Sequence, residues 1–148
     1  MDEFFMKRAL ELARNGGERV KPNPMVGAII VKDEKVIGEG YHEFYGGPHA
    51  EVNAFRSLNG SAEGCTIYVT LEPCCHYGKT PPCVKTIIKN KIKRVVIGSI
   101  DRNPIVSGRS VNILKQKGIE VTTGVLEKEC TDLNKEFNKY ISKKHGKE

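Results

Sequence analysis

The sequence lacks any apolar run that approaches the about eighteen residues a membrane-spanning helix needs. Its first residues, Met-Asp-Glu-Phe-Phe, also lack the basic region and the apolar stretch of a secretory signal. No internal repeat or low-complexity segment interrupts the 148 residues, an ordinary length for one domain with its own core. We therefore expect a single domain over residues 1–148, located in the cytoplasm, with no membrane partner.

An even set of cysteines, which a disulfide framework would need, is also missing. The chain has five cysteines, and Cys74, Cys75 and Cys83 lie close together. An odd, clustered set suits a reducing compartment and metal ligation better than disulfides. We interpret Cys65 and Cys130, which lie outside the cluster, as small buried apolar residues.

The net charge of +6 could indicate a nucleic acid or an anionic metabolite as a partner. Much of this charge is local, because lysines crowd the last predicted helix and tail at positions 135, 139, 143, 144 and 147. We interpret this run as a solvated helix face. The charge is therefore a weak argument for a polymer, and we do not expect a nucleic-acid partner.

Two short stretches contain the residue types of a metal site. Residues 48–51 (Pro-His-Ala-Glu) offer the imidazole of His49 and the carboxylate of Glu51, and residues 72–83 offer the thiols of Cys74 and Cys83. One nitrogen and two sulfur ligands are typical of a zinc site with three protein ligands, which leaves the fourth position for water or substrate.

A closed structural site is the alternative, because Cys75 and His76 could supply a fourth ligand. It leaves Glu51 without a purpose. A helix that begins with Pro48 places His49 and Glu51 in its first turn, and Glu51 then shares a face with apolar side chains three, four and seven positions further on. An ionisable group on such a stripe is costly to bury without a partner, which favours a catalytic role.

His-Ala-Glu followed by Pro-Cys and a further Cys resembles the zinc-dependent nucleobase and nucleoside deaminases, whose pattern is H-x-E and then P-C-x-x-C. In this sequence eight residues, instead of two, separate Cys74 from Cys83. This longer insert is similar to the deaminase domain of the riboflavin biosynthesis deaminase/reductase family, as are residues 23–27 and 101–104. The likeness runs from about residue 4 to residue 140. Arg102 and Ser110 depart from it, since the family pattern leads us to expect proline and glycine there.

The resemblance implies a Zn²⁺ cofactor held by His49, Cys74 and Cys83, with Cys74 chosen over Cys75 because it matches the Pro-Cys of the pattern. Glu51 is implied as the general acid and base, not as a ligand. The implied reaction is the hydrolytic removal of the 2-amino group of 2,5-diamino-6-ribosylamino-4(3H)-pyrimidinone 5′-phosphate, which releases ammonia in riboflavin biosynthesis.

The same resemblance implies six substrate contacts. One lies in a proline-flanked loop, one at the end of a strand, two in the insert between the cysteines, and two after a later strand. They are Asn23, His42, His76, Lys79, Asp101 and Asn103.

Family members usually continue into an NADPH-dependent reductase domain and commonly associate, so a separate reductase and a homo-oligomer are the implied protein partners. The 148 residues hold no reductase domain, and we expect either a naturally separate deaminase or an excised one. Two rival functions stay open: a deaminase acting on a base in tRNA or in another nucleotide, and a non-catalytic zinc-stabilised module.

Strand and helix patterns alternate after an opening helix and hairpin. We predict strands over 25–31, 36–41, 66–71, 94–100 and 119–123, and helices from residue 2 to about 15, from 48 onward, and over 80–90, 108–117 and 126–143. Asp2 is the predicted cap of the first helix. The expected fold class is α/β, a three-layer α/β/α domain with a five-stranded mixed sheet, and the resemblance implies that it is cytidine-deaminase-like.

Overall fold

The structure is a computed structural model that describes residues 1–75, 82–101 and 107–135. The described part contains five strands, five α-helices and a short 3₁₀ helix at Gly17–Val20. The strands are β1 (Gly27–Lys32), β2 (Lys35–Tyr41), β3 (Thr66–Leu71), β4 (Arg94–Ser99) and β5 (Glu120–Thr123). The helices are α1 (Asp2–Arg14), α2 (Ala50–Arg56), α3 (Cys83–Lys89), α4 (Arg109–Gln116) and α5 (Glu127–Leu133).

The strands form one mixed sheet in the order β2-β1-β3-β4-β5. Strand β1 runs antiparallel to both of its neighbours, whereas β3, β4 and β5 are parallel. The five-stranded mixed sheet predicted from the sequence is therefore confirmed.

The sheet separates two apolar cores, because alternate side chains of a strand point to opposite faces. In β1, Ala28 and Ile30 face α2, α3 and α4, whereas Ile29 and Val31 face α1 and α5. This arrangement confirms the three layers. No helix in the described ranges has the length and apolarity needed to span a membrane.

Strands β3 and β4 place the loops that follow them at one edge of the sheet, since the carboxyl ends of parallel strands lie side by side. Helix α2 approaches the same edge and packs closely on β2 at Gly40. A β-carbon at Gly40 would overlap the backbone of Ala50 and Ala54. This close approach fixes the helix that follows His49.

Helix α2 begins at Ala50, with His49 as its N-cap in an extended conformation (φ −71°, ψ 162°), so the prediction that Pro48 begins the helix is wrong. The His42 ring lies 2.9 Å from the Pro48 carbonyl oxygen, measured from Nδ1. The first hydrogen bond of the helix is donated by the Asn53 N–H to the carbonyl oxygen of His49, not to that of Pro48. His49 therefore stands just before the first turn.

Asp2 does not cap α1 with its side chain, contrary to prediction. Its carboxylate accepts hydrogen bonds from the Arg94 guanidinium at 3.0 and 2.7 Å and from the Tyr68 hydroxyl at 2.7 Å. A two-pronged bond to a guanidinium is stronger than a bond to a backbone amide, so it determines the orientation of this side chain.

Two predicted boundaries also differ from the structure. Strand β1 starts at Gly27 instead of residue 25, because the backbone of Met25 is bonded to the side chain of Asn134 and not to a neighbouring strand. Helix α5 is described from Glu127 to Leu133, and the part of the predicted helix after residue 135 lies outside the described residues.

Candidate metal centre and active site

Three predicted ligands converge at the edge of the sheet. His49 precedes α2, Cys74 follows β3, and Cys83 is the first residue of α3. Their candidate ligand atoms all lie within 4.8 Å of one another. The Nδ1 atom of His49 is 3.3 Å from the Cys83 sulfur and 3.7 Å from the Cys74 sulfur. His49 therefore presents Nδ1 to the two thiols.

The start of α3 holds the Cys74 loop in place. The backbone N–H of Cys83 donates to the Cys74 sulfur at 3.1 Å, and the N–H of Val84 donates to the Cys74 carbonyl oxygen at 3.1 Å. Residue 82 is the extended N-cap of this helix, so α3 begins at Cys83, later than the predicted start at residue 80, and Cys83 lies in its first turn.

The two thiols differ in acidity because they are hydrogen-bonded to each other. The pKa of Cys74 is lowered, chiefly because the Cys83 thiol donates to it, and His49 adds to this effect. The pKa of Cys83 is raised, first by the same contact and then by its burial. The pair therefore favours a single negative charge, on Cys74. A divalent cation would displace the proton of Cys83 as well.

Imidazole nitrogen and thiolate sulfur are the ligands that Zn²⁺ prefers, so the residues present fit that ion. Within the described residues, Cys75 does not join the cluster. His76, the other candidate for a fourth ligand, lies outside the described residues. The described residues therefore offer three candidate ligands, the number typical of catalytic zinc.

Glu51 lies beside these ligands without belonging to them. Its side chain is only 4% exposed, and it is not part of the cluster of candidate ligand atoms. Burial, and after it the negative charge of Cys74, raise the pKa of its carboxyl to about 7. A divalent cation held by the cluster would lower the pKa of Glu51, because its positive charge favours the carboxylate. The group is therefore placed to exchange a proton near neutral pH.

His42 and Asn23 form a chain of hydrogen bonds that leads to the residue before His49. Because the Pro48 carbonyl can only accept, His42 Nδ1 must carry the proton, and Nε2 is left as an acceptor. The Asn23 amide nitrogen lies 3.2 Å from Nε2 and donates to it. His42 is 3% exposed, so its ring is held in place by its surroundings. The hydrogen bond to this fixed ring orients the Asn23 side chain. Direct contact of either residue with a substrate stays a prediction.

The remaining predicted contacts are placed only in part. Asp101 follows β4 at the same edge as Cys74, and its backbone N–H donates to Glu72 at 3.2 Å. His76, Lys79 and Asn103 lie outside the described residues. A cavity of about 520 Å³ opens beside Asn23, and the three candidate ligands do not line it.

Sequence reasoning assigned no role to two buried polar residues, Glu72 and Asn134. Glu72 is 4% exposed and accepts three backbone hydrogen bonds. The side chain of Asn134 binds both the N–H and the C=O of Met25. A glutamate directly after a buried strand was the available signal for Glu72, whereas nothing local marks Asn134.

Residues 1–99 match the family model described as the cytidine and deoxycytidylate deaminase zinc-binding region. The chain belongs to this deaminase family. The family's description agrees with the metal type that the ligand set of His49, Cys74 and Cys83 indicates.

Several named relatives of the deaminase are similar over nearly its whole length. The diaminohydroxyphosphoribosylamino-pyrimidine deaminase of Buchnera aphidicola (Schizaphis graminum) is 49% identical over 138 residues, which cover 93% of this chain and 94% of that protein. The riboflavin biosynthesis protein RibD of Aquifex aeolicus is 50% identical over 96% of this chain but only 40% of its own length. The chain thus spans about two fifths of the RibD relatives.

A solved structure supports the same relationship. The diaminohydroxyphosphoribosylaminopyrimidine deaminase/5-amino-6-(5-phosphoribosylamino)uracil reductase of Thermotoga maritima is 52% identical and superimposes with a TM-score of 0.93. The match covers 97% of this deaminase chain and 42% of that protein. The expected family and the cytidine-deaminase-like fold are therefore confirmed.

Proposed function

We propose that residues 1–148 act as one zinc-dependent deaminase domain that hydrolyses 2,5-diamino-6-ribosylamino-4(3H)-pyrimidinone 5′-phosphate to 5-amino-6-ribosylaminouracil 5′-phosphate and ammonia. The observation that carries the proposal is the position of buried Glu51 beside, but outside, the cluster of His49, Cys74 and Cys83. The names of relatives about 50% identical over most of the chain support the substrate.

His49, Cys74 and Cys83 would hold the zinc ion. Zinc bound with an open position supplies a nucleophile at neutral pH by lowering the pKa of water. Each ligand comes from a different element of the fold, and the amide of Cys83 supports the Cys74 sulfur. The donor atoms therefore do not depend on one loop for their arrangement.

Glu51 would carry the protons. Its carboxylate would take one proton from the attacking water and deliver it to the ring nitrogen beside the reacting carbon. It would then take the second proton from the new hydroxyl group on that carbon, as the C=O bond forms, and pass it to the departing amine. The carbon exchanges its C–NH₂ bond for a C=O bond, and ammonia leaves. Burial of Glu51 suits this task, because it brings the pKa of the carboxyl close to the working pH.

Asn23 would orient the pyrimidine. Since its NH₂ group donates to His42 Nε2, its carbonyl oxygen points away from His42 and is directed as an acceptor. His76, Lys79, Asp101 and Asn103 are the proposed contacts to the ribose and phosphate, and for these the family resemblance is the support. Lysine is a suitable point-charge partner for a phosphate.

The experiment is to load the purified protein with zinc, add the diaminopyrimidine ribotide and measure ammonia release. Turnover of the ribotide and none of tRNA supports the proposal. Ammonia from tRNA but not from the ribotide would favour the rival nucleic-acid deaminase, and no ammonia from either would favour a non-catalytic module.

Lys79→Ala tests recognition of the phosphate. We expect KM to rise by about 10- to 100-fold, because a hydrogen bond between charged groups is lost. Lys89→Ala, at the exposed end of α3, is the matched control and should leave KM unchanged. Equal KM values in the two variants would show that Lys79 does not bind the phosphate. Cytoplasmic location, a homo-oligomer and a separate reductase stay predictions.

A further inference from the structure

Glu72 lies between β3 and the metal-ligand loop and has no part in the proposed chemistry. The residue is 4% exposed. One oxygen accepts hydrogen bonds from the N–H groups of Asp101 (3.2 Å) and Gly108 (3.0 Å), and the other accepts from the N–H of Ser110 (3.1 Å). A buried carboxylate is costly unless its oxygens are bonded, and these three donors meet that need.

The three donors bracket a single segment of the chain. Asp101 follows β4, Gly108 is the N-cap of α4 with a left-handed backbone (φ 76°), and Ser110 lies in the first turn of α4. The carboxylate of Glu72 therefore ties together the two ends of segment 101–110. Asp101, one of the proposed ribose and phosphate contacts, is one of the three donors.

Ser110 makes a second connection in the opposite direction. It is fully buried, and its hydroxyl donates to the carbonyl oxygen of Pro73, the residue before Cys74. Glycine, which the family pattern leads us to expect at position 110, could not form this bond. The first turn of α4 thus binds both the side chain of Glu72 and the backbone of the metal-ligand loop.

We propose that Glu72 is a positioning residue for substrate binding. Its carboxylate fixes Asp101 and the first turn of α4 relative to Cys74, so that Asp101, a proposed contact to the ribose and phosphate, lies at a set distance from the metal centre. The hydroxyl of Ser110 supports this arrangement. The inference rests on the proposed function for the identity of the substrate, whereas the hydrogen bonds themselves do not depend on it.

Glu72→Gln tests the proposal with little change in volume. One acceptor oxygen becomes an NH₂ group, which then faces either the N–H of Ser110 or the N–H groups of Asp101 and Gly108. We expect KM for the ribotide to rise about tenfold, the equivalent of about 1.4 kcal/mol. We expect kcat to stay within about twofold and the zinc content to stay unchanged, because the lost interaction acts on binding.

Two further variants separate positioning from general stability. Glu72→Asp keeps the charge and should recover part of the loss in KM. Asp2→Asn disrupts another hydrogen-bonded carboxylate, near the opposite ends of β3 and β4, and should lower stability without changing KM. A KM for Glu72→Gln no higher than that for Asp2→Asn would overturn the proposal. Loss of zinc, or a fall in kcat alone, would also overturn it, because Glu72 would then act on the metal loop.

A readout independent of turnover distinguishes this inference from the proposed function. In Glu72→Gln, hydrogen exchange of the Gly108 and Ser110 amides, followed by NMR, should accelerate at least about tenfold relative to the amides of β3. Unchanged exchange overturns the inference. A wild-type protein that fails to turn over the ribotide, combined with accelerated exchange in the variant, counts against the proposed function alone.

Ser110→Ala is the milder variant should Glu72→Gln fail to fold. It removes only the bond to the Pro73 carbonyl, and Ser99→Ala is its buried control at the end of β4. We expect KM to rise about threefold in the first variant and to stay unchanged in the second. Equal KM values in the two serine variants would contradict the proposal.

Discussion

Asn134→Ala should destabilise the protein strongly although the residue lies at the far end of the described chain. The Asn134 side chain accepts from the Met25 N–H at 2.7 Å and donates to the Met25 carbonyl at 2.8 Å. The residue is 8% exposed, so alanine would leave both backbone groups of Met25 short of partners. Each unsatisfied buried group costs about 1–3 kcal/mol, and because Met25 is itself only half-buried, its two groups should cost about 2–4 kcal/mol together.

Urea unfolding measures this loss. With a slope of about 2 kcal/mol per molar urea, the midpoint should fall by about 1–2 M. Asn90→Ala is the matched control, because the Asn90 amide makes one local bond, to the Thr86 carbonyl at 2.8 Å. Its midpoint should fall by less than about 0.5 M. If both variants shift the midpoint equally, the connection between Asn134 and Met25 does not hold the segment that carries Asn23.

Two other predictions concern stability and the placement of α2. Asp2→Asn should lower the free energy of unfolding by about 1–3 kcal/mol at pH 7, because the group that accepts the hydrogen bonds of the Arg94 guanidinium loses its negative charge. That guanidinium holds the pKa of Asp2 below its ordinary value of 3.8. The contribution of the carboxylate is therefore present above pH 3.8 and is lost as the pH falls below it, so the gap between wild type and variant in urea unfolding should narrow in acid. Gly40→Ala should cost about 1–3 kcal/mol and also lower kcat, because the added methyl group pushes α2 and Glu51 away from β2.

Two results would contradict these predictions. A gap between wild type and Asp2→Asn that stays constant from pH 7 to pH 3 would show that the ionised carboxylate contributes nothing. A Gly40→Ala protein with wild-type stability and kcat would show that α2 does not depend on contact with this glycine.

The order and type of the strands and helices could be predicted because each leaves a local pattern. The buried run of β1 and the β-branched run of β3 are visible without knowledge of their neighbours. The cluster of candidate ligands was predictable for a different reason, since a zinc site restricts residue type and spacing. His49, Cys74 and Cys83 accordingly lie together in the structure.

What could not be predicted depends on partners distant in sequence. Helix α2 starts later than the position of Pro48 indicates, since His49 is extended and the Pro48 carbonyl is bonded to the ring of His42. Asn134 and Met25 are 109 positions apart, and no local pattern joins them. The role of Glu72 becomes visible only when the backbone N–H groups of Asp101, Gly108 and Ser110 are placed around its carboxylate. Hydrogen bonds of this kind follow from the tertiary structure and not from local propensity.

The central claim is that a buried carboxylate outside the ligand cluster moves protons at a zinc centre. Ammonia release by zinc-loaded Glu51→Gln, measured with the diaminopyrimidine ribotide beside the wild type, tests it most directly. We expect zinc content and fold to be retained and kcat to fall by at least about 10²-fold, the smaller contribution typical of general acid–base catalysis. Wild-type kcat in the zinc-loaded variant would contradict the account.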